Sequence, residues 1–222
     1  MATNIKSLIK CRNLVIGCTN KCPYCYARNN CRRYHMTEDF SIPEFFPAKL
    51  RLLDIKKPAN WLLTCMSDLA DWKREWVRET LSHISYNPQC NFLFLTKSPE
   101  RIDFQTDLNN VWAGVTITCS AEKNRIEDLK KHVLCKHYYI TFEPLHSPVG
   151  TLDLSGIEWI VIGTETGKRK GKISARIEWI MEIVKQAEEK GIPVFMKEEL
   201  EAVIGTKNMI QKLPEEFIVD EV

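Results

Sequence analysis

Short, continuously apolar runs alternate along this chain with longer stretches in which apolar residues return every three or four positions. The runs are LVIG (14–17), WLLTCM (61–66), FLFLT (92–96), VWAGVTI (111–117), YYITFE (138–143), WIVIG (159–163) and PVFMK (193–197). Consecutive apolar positions, rather than strict alternation, are the pattern of parallel strands covered on both faces. Helical signals fill several of the gaps. After Ser174, a plausible N-cap, Ile177, Ile180, Met181, Val184 and Ala187 share one helical face; Lys190, Gly191 and Pro193 then end the helix and open the next strand. Ser98 followed by Pro99 reads as another helix start, and 71–86 and 120–133 also read as helices. The stretch 144–157 is too rich in turn residues for a crossover helix.

Repeated strand–helix units make a parallel α/β fold. Six or seven strands are too few for a closed eight-stranded barrel, so the expectation is a partial (β/α)6-type TIM barrel with mostly parallel strands. No linker or repeat divides the chain, which reads as one domain over 1–222 with a C-terminal extension from about 198; residues from Thr206 on read as a lid or a tail. In such folds chemistry gathers at the C-terminal ends of the strands. Polar residues recur at that edge: Ser67 and Asp68, Lys97, Thr116 and Thr118, Glu143, Glu165, and Lys197.

Composition narrows the class. The chain has 222 residues, 44% hydrophobic and 27% charged, as in ordinary globular proteins. It has no secretory leader pattern and no apolar run long enough to cross a bilayer, so a cytoplasmic location is expected. A net charge of +2 is small for a protein gripping a long nucleic acid, and favours a nucleoside or nucleotide among nucleic-acid-related ligands. The nine cysteines are clustered rather than spread like a disulfide framework, which points to metal before bridges. Cys65, Cys90 and Cys119 lie in or beside apolar strands and read as small buried hydrophobes.

The densest chemistry is GCTNKCPYCYA (17–27), where Cys18, Cys22 and Cys25 follow the first expected strand on a loop shaped by Gly17, Asn20 and Pro23. Three thiolates on one loop can converge on a metal. A structural zinc site needs a fourth ligand, for which Cys31, His35 or Cys11 are candidates. A four-iron cluster with three cysteines leaves one iron open to another ligand.

C-x3-C-x2-C with an aromatic residue, Tyr24, before the last cysteine resembles the signature of the radical SAM enzymes, whose fold is a partial barrel. The resemblance implies a [4Fe-4S] cluster held by Cys18, Cys22 and Cys25, with S-adenosylmethionine on the open iron. It implies further that Tyr24 packs near the adenine and that Ser67 and Asp68 face the methionine amine, although MSDLA (66–70) stands where many members have Gly-Gly-Glu. Lys97 is expected at the methionine carboxylate, Thr116 beside the cofactor, and Glu165 in support of the adenine. Two other roles compete: Asp68 as the cap of the helix that follows, and Lys97 as a solvated lysine. A flavodoxin- or ferredoxin-type electron donor is the implied partner.

The segments MSDLA, FLFLTKSPERI, WAGVTI, TFEPL, VIGTETG and PVFMK also resemble the short branch related to spore photoproduct lyase, and within it the clostridial queuine lyases. This implies release of the 7-deazaguanine base queuine from its ribonucleoside or 5′-phosphate. A guanine-like base presents adjacent N–H donors that a carboxylate accepts together. Glu143 is the first expected acceptor, with Glu165 second; Lys197 and Arg176 are expected near the diol or phosphate. GKRKGK (167–172) is either a phosphate-holding loop or a solvated charge run. The competing functions are a glycyl-radical activase, a nucleic-acid repair or modification enzyme, and a non-catalytic zinc module.

Overall fold

The computed structural model describes residues 2–218, so 219–222, the end of the expected C-terminal extension, lie outside the described residues. In chain order the elements are α1 (Ile5–Leu8), β1 (Ile9–Cys11), β2 (Val15–Ile16), α2 (Tyr26–Tyr34), β3 (Glu44–Phe45) and β4 (Asn60–Leu62). There follow α3 (Arg74–Ser85), β5 (Asn91–Thr96), β6 (Phe104–Gln105), β7 (Val111–Thr116), α4 (Arg125–His132), β8 (Val133–Leu134) and β9 (His137–Phe142). β10 (Trp159–Ile162), α5 (Ile177–Glu189), β11 (Val194–Met196) and α6 (Glu201–Ile204) complete them. Seven strands form one sheet in the order β1-β4-β5-β7-β9-β10-β11, and every pairing in it is parallel. The sheet curls into a half-barrel, a mixed α/β architecture consistent with the expected partial barrel.

Alternate residues of each strand face opposite ways, and the two faces build separate cores. Phe92, Phe94, Val111, Ala113, Val115, Ile140, Ile160 and Ile162 pack with helix residues such as Ile84, Leu129, Ile180 and Val184. Their neighbours Leu93, Trp112, Tyr139, Trp159, Val161 and Phe195 pack together on the concave side. Burial on both faces explains why the strands read as continuous apolar runs. The concave aromatics need room: a Cβ on Gly114 would stand 2.3 Å from the Tyr139 ring, whose hydroxyl donates to the Phe94 carbonyl at 3.0 Å.

Several sequence expectations shift. The sheet begins at β1 rather than at 14–17; that stretch leaves the sheet as β2, pairs antiparallel with β3, and rejoins only where Gly17 bridges Ser67. Gly17 has φ +117°, and a Cβ there would lie 2.8 Å from the Pro43 Cα, so this exit is open to glycine alone. After Ser98 only one 3₁₀ turn forms, Pro99–Arg101, because β6 begins at Phe104; the Ser98 side chain does not cap it. The helix expected over 71–86 starts at Arg74, after a 3₁₀ turn at Leu69–Asp71. No helix forms between β9 and β10, as the turn-rich sequence implied.

α5 shows the local logic. Ile180, Ile183, Val184 and Ala187 are its buried positions, each large aliphatic contributing about 1.5–3 kcal/mol on burial. Ile177 and Met181, expected on that face, are exposed, because packing rotates the stripe toward Ile183. Its N-cap is Arg176, not Ser174, with no side-chain cap bond. The other end closes fully: Gly191 N donates to Glu188 O at 3.0 Å and Ile192 N to Ala187 O at 2.9 Å.

Up to Ile218, the segment after β11 is neither a lid nor a loose tail. Gln211 bridges Phe195, and Phe217 is buried against Trp112 and Trp159 at ring separations of 4.9 and 5.1 Å. Asn60 donates to Ile218 O (2.8 Å) and Asn91 to Glu216 O (2.7 Å), both from the first residues of β4 and β5. The segment therefore stoppers the N-terminal end of the half-barrel, opposite the cysteine loop.

Candidate functional site

The concave face changes character along the strand direction. Register places Leu95, Gly114, Tyr139 and Trp159 at one level, then Thr116, Thr141, Val161 and Phe195 at the next. Lys97 follows β5 at the level of Thr116, and two residues beyond that level the same parity brings Glu143 and Lys197 to the C-terminal rim. An apolar floor with a polar rim is thus written into alternate positions of the same strands.

The cysteine loop crosses that rim. Cys18, Cys22 and Cys25 are free, partly buried thiols. Cys18 and Cys25 pack on a small cluster of Ile16, Ala27, Cys31, Phe40 and Met66. Cys25 caps α2, its sulfur accepting from Arg28 N at 3.4 Å, and Cys18 N donates to Phe40 O at 2.7 Å. Burial, reinforced by the nearby Asp68 charge, pushes the Cys18 thiol up to about 12, so an electropositive ligand is needed to draw out its thiolate.

Asp68 is the hub beneath this loop. Its carboxylate accepts from Thr96 Oγ1 (2.5 Å), Asn20 Nδ2 (2.8 Å), Lys97 N (2.8 Å) and Ala70 N (2.9 Å). Burial pushes its carboxyl upward, against the hydrogen bonds that hold it down. These four donors leave Asp68 a cap and brace for the chain rather than a free acceptor for an amine. Ser67 is likewise engaged, its Oγ accepting from Trp72 Nε1 at 3.0 Å. Asp71, three residues on, accepts from Thr19 N (2.7 Å), Thr19 Oγ1 (2.8 Å) and Arg101 Nη2 (2.8 Å).

Tyr24 sits between two rim residues. His146 meets its ring edge-on at 5.1 Å, and the Lys97 ammonium lies 5.7 Å over its centroid. Lys97 is therefore not a freely solvated lysine: burial lowers its pKa, opposed by Cys22, Asp68 and Glu143. His146 Nε2 stands 3.4 Å from Glu165 Oε2 without a hydrogen bond. Glu165 is buried, and Arg169 holds it bidentately at 2.6 and 2.8 Å, keeping its carboxyl below the usual range. Arg169 thus anchors the basic loop 167–172, whose Lys168 and Lys170 are exposed. With both oxygens engaged, Glu165 is a poor acceptor for a base.

Glu143 and Lys197 do meet: Lys197 Nζ donates to Glu143 Oε1 and lies 3.4 Å from Glu199 Oε1. Burial disfavours the Lys197 ammonium, but the two carboxylates outweigh it and its pKa rises. Two expected residues do not join the rim. Arg176 is exposed at the start of α5, its guanidinium 5.1 Å over the Trp179 ring. The Thr116 hydroxyl is buried and paired with Thr141 Oγ1 at 3.0 Å, across β7 and β9. Sequence reasoning placed Asn20 only as a loop-former and missed Asp71, Arg101, His146 and Glu199. Only strand parity and proximity to the loop hinted at them, because their partners lie far along the chain.

The donor set can be tested against the implied groups. Cys11 is disulfide-bonded to Cys65, so Cys65 is not the isolated hydrophobe expected of it. Cys31 is buried with its sulfur 3.1 Å from Thr37 Oγ1, and His35 is an exposed left-handed C-cap. Cys11 and His35 thus do not join the loop, whereas Cys31 packs near Cys18 and Cys25 with its sulfur engaged by Thr37. Among the described residues no three His, Cys, Asp or Glu side chains converge on a single point. A four-iron cluster takes each thiolate on a different iron, and three free thiols on one rim loop fit that demand.

A sequence profile described as Protein of unknown function (DUF5131) matches residues 2–212. No curated protein and no solved structure matches the chain. No helix among the described residues is long and apolar enough to cross a membrane.

Proposed function

The chain belongs to the DUF5131 family, and we propose, from its cysteine loop and rim, that it is a radical SAM enzyme acting on a nucleoside-sized substrate in the half-barrel mouth. The observation that carries this reading is the placement of three free thiols, with Tyr24 among them, on a loop packed against the polar rim at Lys97, Asp68 and His146. Cys18, Cys22 and Cys25 would hold the [4Fe-4S] cluster. When bound, that cluster supplies one-electron cleavage of S-adenosylmethionine and hence a hydrogen-abstracting radical.

The chain's own residues do the rest. Tyr139, Trp159, Val161 and Phe195 form a dry floor below the rim, excluding water from a reactive centre. Lys97, half-buried beside Tyr24, supplies positive charge under the loop and suits a carboxylate. Glu143 offers a carboxylate to paired N–H donors, and Lys197 can pass to Glu199, 3.4 Å away, to free both Glu143 oxygens. The reaction we assign is release of queuine from its ribonucleoside or 5′-phosphate: a ribose hydrogen passes to the 5′-deoxyadenosyl radical, the glycosidic C–N bond of the sugar radical breaks, and an electron from the reductant with a proton from solvent closes the odd-electron fragment.

Protein reconstituted anaerobically with iron and sulfide tests this directly. With reductant, S-adenosylmethionine and queuosine 5′-phosphate it should yield 5′-deoxyadenosine and free queuine. 5′-Deoxyadenosine without queuine would remove the substrate and leave the enzyme class. Bound zinc with no cleavage of S-adenosylmethionine would remove both.

A further inference from the structure

We propose that Asp71, paired with Arg101, is a positioning residue that holds the cysteine loop in its ligand-presenting shape before any metal arrives. The Asp71 side chain is 1% exposed, yet it belongs to a 3₁₀ turn at the molecular rim. A carboxylate removed from water needs partners, and its side-chain partners lie on two other segments. Thr19, next to Cys18, donates both its N–H and its hydroxyl, and Arg101, from the turn after β5, supplies the countercharge. Arg101 also reaches Thr19 Oγ1 at 3.2 Å, which closes a three-sided clamp. The next residue is fixed independently: Asn20 donates to Asp68, and its carbonyl accepts from Arg28 Nη2 at 2.6 Å. The chain between the first two thiols is thereby pinned from the β4, β5 and α2 sides, with no ligand required.

This inference rests on the loop being ligand-bearing, but its test runs first on metal-free, reduced, full-length protein. Amide hydrogen exchange is compared for the wild type, Asp71→Asn and Arg101→Gln. Loss of a charged hydrogen bond should speed exchange in residues 18–25 about tenfold or more, while β7 and β9 keep their protection. The double variant should be no worse than Asp71→Asn alone, since both remove one clamp. Iron bound per chain at limiting iron should fall several-fold in each variant. Unchanged loop exchange in a folded Asp71→Asn protein overturns the proposal, as does uniform acceleration across the whole sheet. Should Asp71→Asn fail to fold, the same two outcomes are read from Arg101→Gln, where the replaced side chain is partly exposed. A wild type that takes no iron, while Asp71→Asn still loosens the loop, supports the clamp and counts against the enzyme class alone.

Discussion

Gly114 lacks a side chain because the Tyr139 ring already occupies the place where a Cβ would stand. Gly114→Ala should therefore destabilise the fold by about 3 kcal/mol, at the upper end for overpacking, read as a lower urea midpoint. Glu165 makes a different demand. Its carboxyl is held below the ordinary value of 4.5 chiefly by Arg169, so its ionised form stabilises the fold above that value, and the benefit fades as pH falls through the depressed one. Glu165→Gln should lower the thermal midpoint at pH 7, and the difference from wild type should shrink steadily toward pH 3. At the rim, Glu143→Gln should reduce kcat/KM about 10- to 100-fold through loss of a charged acceptor. Equal kinetics with the glutamine variant would show that the carboxylate does not read the substrate.

The seven parallel strands work as an element because each separates a helix-facing core from a concave one. The C-terminal segment completes the second core. Phe217→Ala removes an aromatic packed on Trp112 and Trp159 and should cost about 3–5 kcal/mol. Chemical denaturation checks this, and an unchanged midpoint would mean that the stopper is not part of the cooperative unit. Since the segment lies at the end of the barrel opposite the cysteine loop, S-adenosylmethionine binding to still-folded protein should be unaffected.

For the whole molecule the decisive prediction is cofactor loading. Anaerobically reconstituted protein should be brown, and Cys18→Ala, Cys22→Ala or Cys25→Ala should each lose most of that visible absorbance and iron. Cys90→Ala, at a buried position just before β5 and away from the rim, should keep both.

Much of this organisation is legible in the order of residues. Continuous apolar runs mark six of the seven sheet strands, because double burial selects apolar residues at successive positions. The first sheet strand is hidden: IKC (9–11) is short and polar, and its neighbour 14–17 reads better as a strand. Lys97, Glu143 and Lys197 can be placed on the rim from parity alone. Their partners cannot, because a contact such as Asp71 with Thr19 spans 52 residues and leaves no local trace.

What the sequence alone determined is the alternation of strands and helices, the C-terminal stop of α5, and the spacing of three thiols on one loop. Each follows from interactions between residues a few positions apart. Only the tertiary structure decided that Asp68 and Asp71 brace that loop, that Lys197 bridges two carboxylates, that Arg176 points elsewhere, and that the segment after β11 seals the far end. These depend on which distant segments the curled sheet makes neighbours, and local periodicity carries no record of that.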